Sequence, residues 1–182
     1  MRLKLSWGTL ILLVSAAMSS GATAEREQLP SGVTPLHYEL DLVPDATNLT
    51  FRGRVRITID VEASTAAIVL NADELTLDGA VLDTKGDSAS IALDAKLQRA
   101  TLTFAHPVAK GRHTLAIDYH GVLGVATKGF FAMDYDSPEG RRRTIATNFE
   151  PASERRLMPS WDEPALKATQ HLGGCAVKVA WL

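Results

Sequence analysis

The side chains best suited to chemistry gather near the C-terminal end of this 182-residue sequence, in TNFEPASERRLMPSWDEPALKAT (residues 147–169). Glu150, Glu154, Asp162 and Glu163 stand there beside Arg155, Arg156 and Lys167, with Pro151, Pro159 and Pro164 among them. A carboxylate in such company can hold a cation through charge-assisted hydrogen bonds, and an arginine can clamp a carboxylate through two parallel N–H donors. On composition alone the segment reads as a charged surface loop whose shape is fixed by its prolines.

Other chemistries lack their parts. Zinc hydrolysis needs ligands at set spacing, yet His37, His106, His113, His120 and His171 form no His-Glu-x-x-His. The seven-residue steps from His106 to His113 to His120 are no ligand set, because an odd separation puts two residues of one strand on opposite faces. These histidines are expected on the surfaces of strands. There is no phosphate-cradling glycine loop and no nucleophile elbow. Arg141–Arg143 follow the turn DSPEG and read as a solvated hairpin end. Asn48-Leu49-Thr50 is a glycosylation acceptor only in a host that glycosylates exported proteins.

The elements that must position the charged segment are strands. In FRGRVRITIDVEA, Phe51, Val55, Ile57, Ile59 and Val61 alternate with Arg52, Arg54, Arg56, Thr58, Asp60 and Glu62, the period of a half-buried antiparallel strand. In LHYELDL, Leu36, Tyr38, Leu40 and Leu42 share one face. AAIVLNA, LTLDGAVLD, ASIALDA, RATLTFA and HTLAIDYHG repeat the theme, with GDS (86–88) and AKGR (109–112) as tight turns. Short strands at this spacing predict an all-β, antiparallel sandwich or curled sheet. The one helical candidate is a turn or two over Asp162–Lys167, capped by Asp162 or Ser160.

Composition agrees with a globular chain: 46% of residues are hydrophobic and 22% charged, and the net charge of −2 argues against a dedicated nucleic-acid binder. MRLK, the apolar run LSWGTLILLVSAAM and the small-residue end SSGATA predict a signal peptide over 1–24, cut after Ala24. The apolar run falls short of the roughly 20 residues that a stable membrane span requires. Cleavage would leave 17 basic against 21 acidic residues on a chain exported to the periplasm or the cell exterior. Cys175 is the only cysteine, so an intrachain disulfide is excluded.

Within this frame, residues 147–169 resemble the segment Thr-Gln-Phe-Glu-Pro … Ala-Arg-Arg-x-Phe-Pro-Cys-Phe-Asp-Glu-Pro-x-x-Lys-Ala-Thr of the aminopeptidase N family of zinc metallopeptidases. PLHYELDL resembles the opening strand of that family, and YHGVLGVATKGFF its Tyr-x-Gly-x-Leu … Gly-Phe-Tyr element. The likeness runs in order from about Leu29 to Thr169.

The resemblance implies a saddle-like N-terminal β domain over residues 25–182. In the family, a catalytic domain follows it and carries the Gly-Ala-Met-Glu-Asn loop and the zinc helix, neither of which occurs in this sequence. It implies a parent reaction that removes the N-terminal residue from peptides, with zinc in the full-length family and neither catalytic residues nor metal ligands in this chain. Asn148 and Glu150 fall where family members hold the substrate α-ammonium, and on one strand their i, i+2 spacing would point both to one face. Asn148 stands where glutamine is usual and is one methylene shorter. Arg155 and Arg156, bridging to Asp162 and Glu163, are implied to be structural.

After Thr169 the likeness fades, and 170–182 is atypical, although CAVKVAWL still alternates as a strand would. That change suggests a truncated, frameshifted or fragmentary reading frame. Two alternatives follow: a non-catalytic exported β-sandwich that binds a peptide end or a partner, or a non-functional remnant. Without the catalytic domain, one face of the β domain would be exposed and prone to aggregation.

Overall fold

The computed structural model describes residues 28–83 and 86–175, so the expected signal peptide and most of CAVKVAWL lie outside the described residues. The fold is built of strands in several sheets. Its only helical element among the described residues is a single 3-10 turn, Glu154–Arg156. The helix expected over Asp162–Lys167 does not form. That stretch is irregular, with one turn closed by the Leu166 N–H on the Glu163 carbonyl, and Pro164 leaves it one donor short.

The largest sheet has the order β11-β1-β2-β8-β4-β5, comprising β1 (Val33–Asp45), β2 (Thr50–Val61), β4 (Leu75–Leu82), β5 (Asp87–Ser88), β8 (Gly111–Val122) and β11 (Thr169–Cys175). A three-stranded sheet has the order β3-β7-β6, from β3 (Thr65–Asn71), β6 (Ser90–Asp94) and β7 (Arg99–Val108). The third is the hairpin of β9 (Gly129–Ser137) and β10 (Gly140–Asn148). Among the named strands of the described residues, pairing is antiparallel except that β11 lies parallel to β1. A parallel neighbour requires a long crossover, which the rest of the chain supplies.

The alternation in β2 becomes burial. Phe51, Val55, Ile57, Ile59 and Val61 are all buried, and the arginines between them face outward. In β1 the same rule holds for Tyr38, Leu40 and Leu42 but not for Leu36, which is only half-buried. An irregularity between Pro35 and His37 shifts the phase there, as a bulge does. These side chains join Ile68 and Leu70 of β3 and Leu102 and Phe104 of β7 in one hydrophobic cluster that spans the two larger sheets.

Two glycines let the core close. Gly53 lies opposite Tyr119, and Gly121 lies opposite Phe51, on the paired strands β2 and β8. A Cβ on Gly53 would sit 2.3 Å from Tyr119 Cζ, and one on Gly121 would sit 2.7 Å from Phe51 Cζ. Each ring covers the space the facing glycine leaves open, an arrangement that also fixes register. Phe51 continues the aromatic contact to Phe130 of β9, edge to face at 5.0 Å. The hairpin is thereby tied to the core.

Candidate functional site

The segment 147–169 begins as the last two residues of β10 and leaves the sheet at Asn148. Glu150 does not share the strand with Asn148, so the condition for their i, i+2 spacing to set one face is not met; it lies in the turn that follows, joined by a cis peptide to Pro151. Pro151 has no N–H with which to continue a ladder. The two residues are nevertheless brought together. The Asn148 side-chain amide donates to the Thr127 carbonyl at 3.0 Å, and its Oδ1 accepts the Glu150 backbone N–H at 3.3 Å. Both side chains are exposed, and the Glu150 carboxylate has no ion-pair partner among the described residues.

Beyond the turn, the chain is bolted to the body of the domain. Arg155 donates through Nε to Asp162 Oδ2 at 2.9 Å and through Nη2 to the Asp162 carbonyl at 3.1 Å, with both side chains largely buried. This is the pairing expected from the sequence. Arg156 departs from expectation: it reaches Asp73 (2.8 Å) and Glu74 (2.8 Å), in the turn between β3 and β4, rather than Glu163. Glu163 instead accepts the Leu29 N–H at 2.6 Å. Asp73 also accepts from Gln98, and Asn71 pairs its backbone with Ser160 in both directions. Trp161 donates its backbone N–H to the buried Tyr38 hydroxyl at 3.1 Å.

These contacts bear on Asn148 through Gly129. Gly129 is the cross-strand partner of Asn148, has φ +67, and lies beneath the stem of Arg156, whose Cβ would be 2.7 Å from any Cβ placed there. A left-handed backbone position that also admits no side chain calls for glycine. Arg156, anchored by two carboxylates, thus packs directly on the residue facing Asn148. Sequence reasoning missed Asp73, Glu74, Thr127 and the seat at Gly129. Only the glycine left a signal, inside the GFF element.

Beside the loop lies a cleft of about 360 Å³ lined by Tyr38, Glu154, Trp161, Glu163 and Gln170, among others. Burial pushes the Glu154 carboxyl above its ordinary value of 4.5, a bond from Gln170 at 2.5 Å opposes that shift, and the nearby Asp162 charge adds to it. The histidines are spoken for as strand residues. His113 and His120 fall on opposite faces of β8, as their odd spacing requires, each bonded to its own aspartate. Among the described residues, no group of three or more His, Cys, Asp or Glu side chains is placed to hold a metal ion. The described residues do not fit a zinc site.

Residues 34–173 match the family described as the peptidase M1 N-terminal domain, which is most of the chain. The chain belongs to that family. The M1 N-terminal domain match reaches Gly173 and so takes in most of β11. An aminopeptidase N of Acetobacter pasteurianus is 42% identical over 146 residues, covering 80% of this chain and 41% of that protein. Aminopeptidase M1 of Arabidopsis thaliana is 37% identical over 149 residues, covering 78% of this chain and 17% of that protein. An endoplasmic reticulum aminopeptidase 1 of Rattus norvegicus is 33% identical over 150 residues. The chain thus spans less than half the length of the curated relatives it matches.

Proposed function

We propose that this M1 N-terminal domain is the saddle-like β portion of an exported zinc aminopeptidase, and that Glu150 receives the α-ammonium of a peptide substrate. Asn148 is its partner in that task, holding the turn and offering an amide at the same rim. Zinc, the attacking water and the proton transfers belong to a catalytic domain outside this chain. An exopeptidase must sense a charged chain end, and a carboxylate does so by ion pairing and charge-assisted hydrogen bonding.

The observation that carries the reading is the Glu150 carboxylate: it is exposed and without an ion-pair partner among the described residues, while the arginines nearest in sequence are engaged with Asp162, Asp73 and Glu74. A free carboxylate beside committed cations is available to an external one. Met133 (46% exposed) and Tyr135 (47%) stand on the same face of the β9–β10 hairpin as Asn148. We assign that apolar face to the contact with the catalytic domain.

Calorimetry on the purified chain tests the amine reading. Short free-amine peptides are expected to bind weakly, their N-acetylated forms are not, and Glu150→Gln is expected to abolish the difference. Equal binding of free and acetylated peptides would overturn it. With an aminoacyl chromogenic substrate and added zinc, the chain alone is expected to show no turnover; metal-dependent cleavage would place catalysis within it. The second reading, a non-catalytic exported binding module, draws on the same exposed carboxylate and the absence of a fitting metal group among the described residues. It differs in one outcome: amine-dependent binding at full strength without any catalytic partner.

A further inference from the structure

His113 is held from two sides by groups that can only accept. Its Nδ1 lies 2.8 Å from Asp83 Oδ2, and its Nε2 lies 2.9 Å from the Ala109 carbonyl oxygen. A carbonyl oxygen has no proton to give, and neither has an ionised carboxylate. A neutral imidazole carries one N–H and satisfies one of these contacts; the imidazolium carries two and satisfies both. The ring is 15% exposed, so a lone pair turned toward the Ala109 oxygen would be left largely without water.

Neither acceptor lies in a strand: one follows β4 and the other opens the turn between β7 and β8. Asp83 follows β4 of the six-stranded sheet and sits in a left-handed turn (φ 52). Its Oδ1 accepts the Thr114 N–H at 2.8 Å, and its own N–H donates to the Thr114 carbonyl at 2.7 Å. Ala109 follows β7 of the three-stranded sheet in the turn leading to β8. Other charged groups stand on the surrounding elements: Asp60 and Glu62 at the end of β2, Asp87 on β5, and Lys110 and Arg112 in the turn of His113 itself. Among the charged groups of the described residues, only Asp83 is bonded to the ring.

We propose that His113 is a proton-operated clasp between the end of β4 and the turn joining β7 to β8, closed when the imidazole carries both protons and released at Ala109 when it loses one. Its environment favours the closed form. The Asp83 bond raises the ring's affinity for a proton above the ordinary value of 6.5, burial opposes this, and the Ala109 bond supports it. For Asp83, burial acts to raise the carboxyl, and the bonds from His113 and Thr114 outweigh it, so the group stays below its usual 3.8. The clasp therefore stabilises fully below pH 6.5 and is lost as pH rises through the folded value of His113. At the acid end it is lost as Asp83 takes up a proton below 3.8.

The inference is independent of the peptide-amine reading. Long-range ¹H–¹⁵N spectra of the whole 182-residue chain, labelled at histidine, test it directly. The expected result is a His113 ring with both nitrogens protonated at pH 6, titrating above 6.5, with the Asp83, Ala109 and Thr114 amide signals moving at the same midpoint. A ring that titrates at or below 6.5, or that is singly protonated at pH 6, would overturn the clasp. Asp83→Asn, tolerated at positive φ, is expected to lower the His113 midpoint at least threefold in proton affinity; an unchanged midpoint would equally overturn it. Should that variant not fold, the ring-nitrogen result on the unaltered chain decides alone.

Discussion

Phe51 and Tyr119 each cover a glycine on the other's strand, Gly121 and Gly53 respectively, and their rings meet edge to face at 6.3 Å. The pair is a reciprocal lock on the register of β2 against β8, because a slip of one residue would set each ring against a side chain. It explains why the alternation of β2 is broken at position 53 by a residue with no side chain to bury.

That lock predicts a sharp contrast between glycines. Gly53→Ala places a methyl 2.3 Å from Tyr119 Cζ and is expected to cost about 1–3 kcal/mol, the range for overpacked cores. A Cβ on Gly79 would meet nothing within 4 Å, and Gly79→Ala is expected to stay within about 0.5 kcal/mol of the parent. Urea midpoints of the two variants check this.

Arg155→Ala would leave Asp162 largely buried without its cation, their side chains being 13% and 15% exposed. Breaking one partner of such a pair costs about 3 kcal/mol. Glu150→Ala removes an exposed carboxylate and is expected to change stability by less than about 0.5 kcal/mol. Thermal unfolding of both variants separates the fastened part of the segment from the part available to a ligand.

The two buried tyrosines should respond oppositely to loss of a hydroxyl. Tyr38→Phe deprives the Trp161 backbone N–H of its acceptor and is expected to cost about 1–3 kcal/mol, the penalty for an orphaned buried donor. The Tyr119 hydroxyl is itself buried without a partner, so Tyr119→Phe is expected to be neutral or stabilising. Both phenols are held above their ordinary value, chiefly by burial.

Glu154 gives the domain a pH dependence of definite sign. Its carboxyl is raised in the folded state by burial, so its folding penalty is absent below its ordinary 4.5 and appears as pH climbs through the folded value. Glu154→Gln keeps an acceptor for Gln170 and is expected to stabilise the domain at pH 7 but not at pH 4. Unfolding midpoints at the two pH values test it; equal effects at both would count against the assignment.

Much of this was legible in the sequence because period-two burial is local. The buried face of β2 follows residue by residue from FRGRVRITIDV, and the pairing of Arg155 with Asp162 spans only seven positions. What was illegible was non-local or depended on a break in phase. Arg156 finds Asp73 across 83 positions, in a turn whose place beside the loop only the assembled sheets determine. Leu36 leaves the buried face because of an irregularity that no periodicity announces. Glu150 leaves the strand because β10 ends two residues before it. The parallel strand β11 was hidden for a similar reason: TQHLGGC lacks the alternation of a half-buried strand, and it forms because β1 offers an open edge.

The closure of β1 by β11 also orders events during synthesis. His37 meets Thr169 across 132 positions, so the outer edge of β1 keeps unsatisfied amides until Thr169–Cys175 has been made. Until β11 arrives, the outer edge of β1 is open to pairing with any other extended chain, and its closure is the step that removes that template.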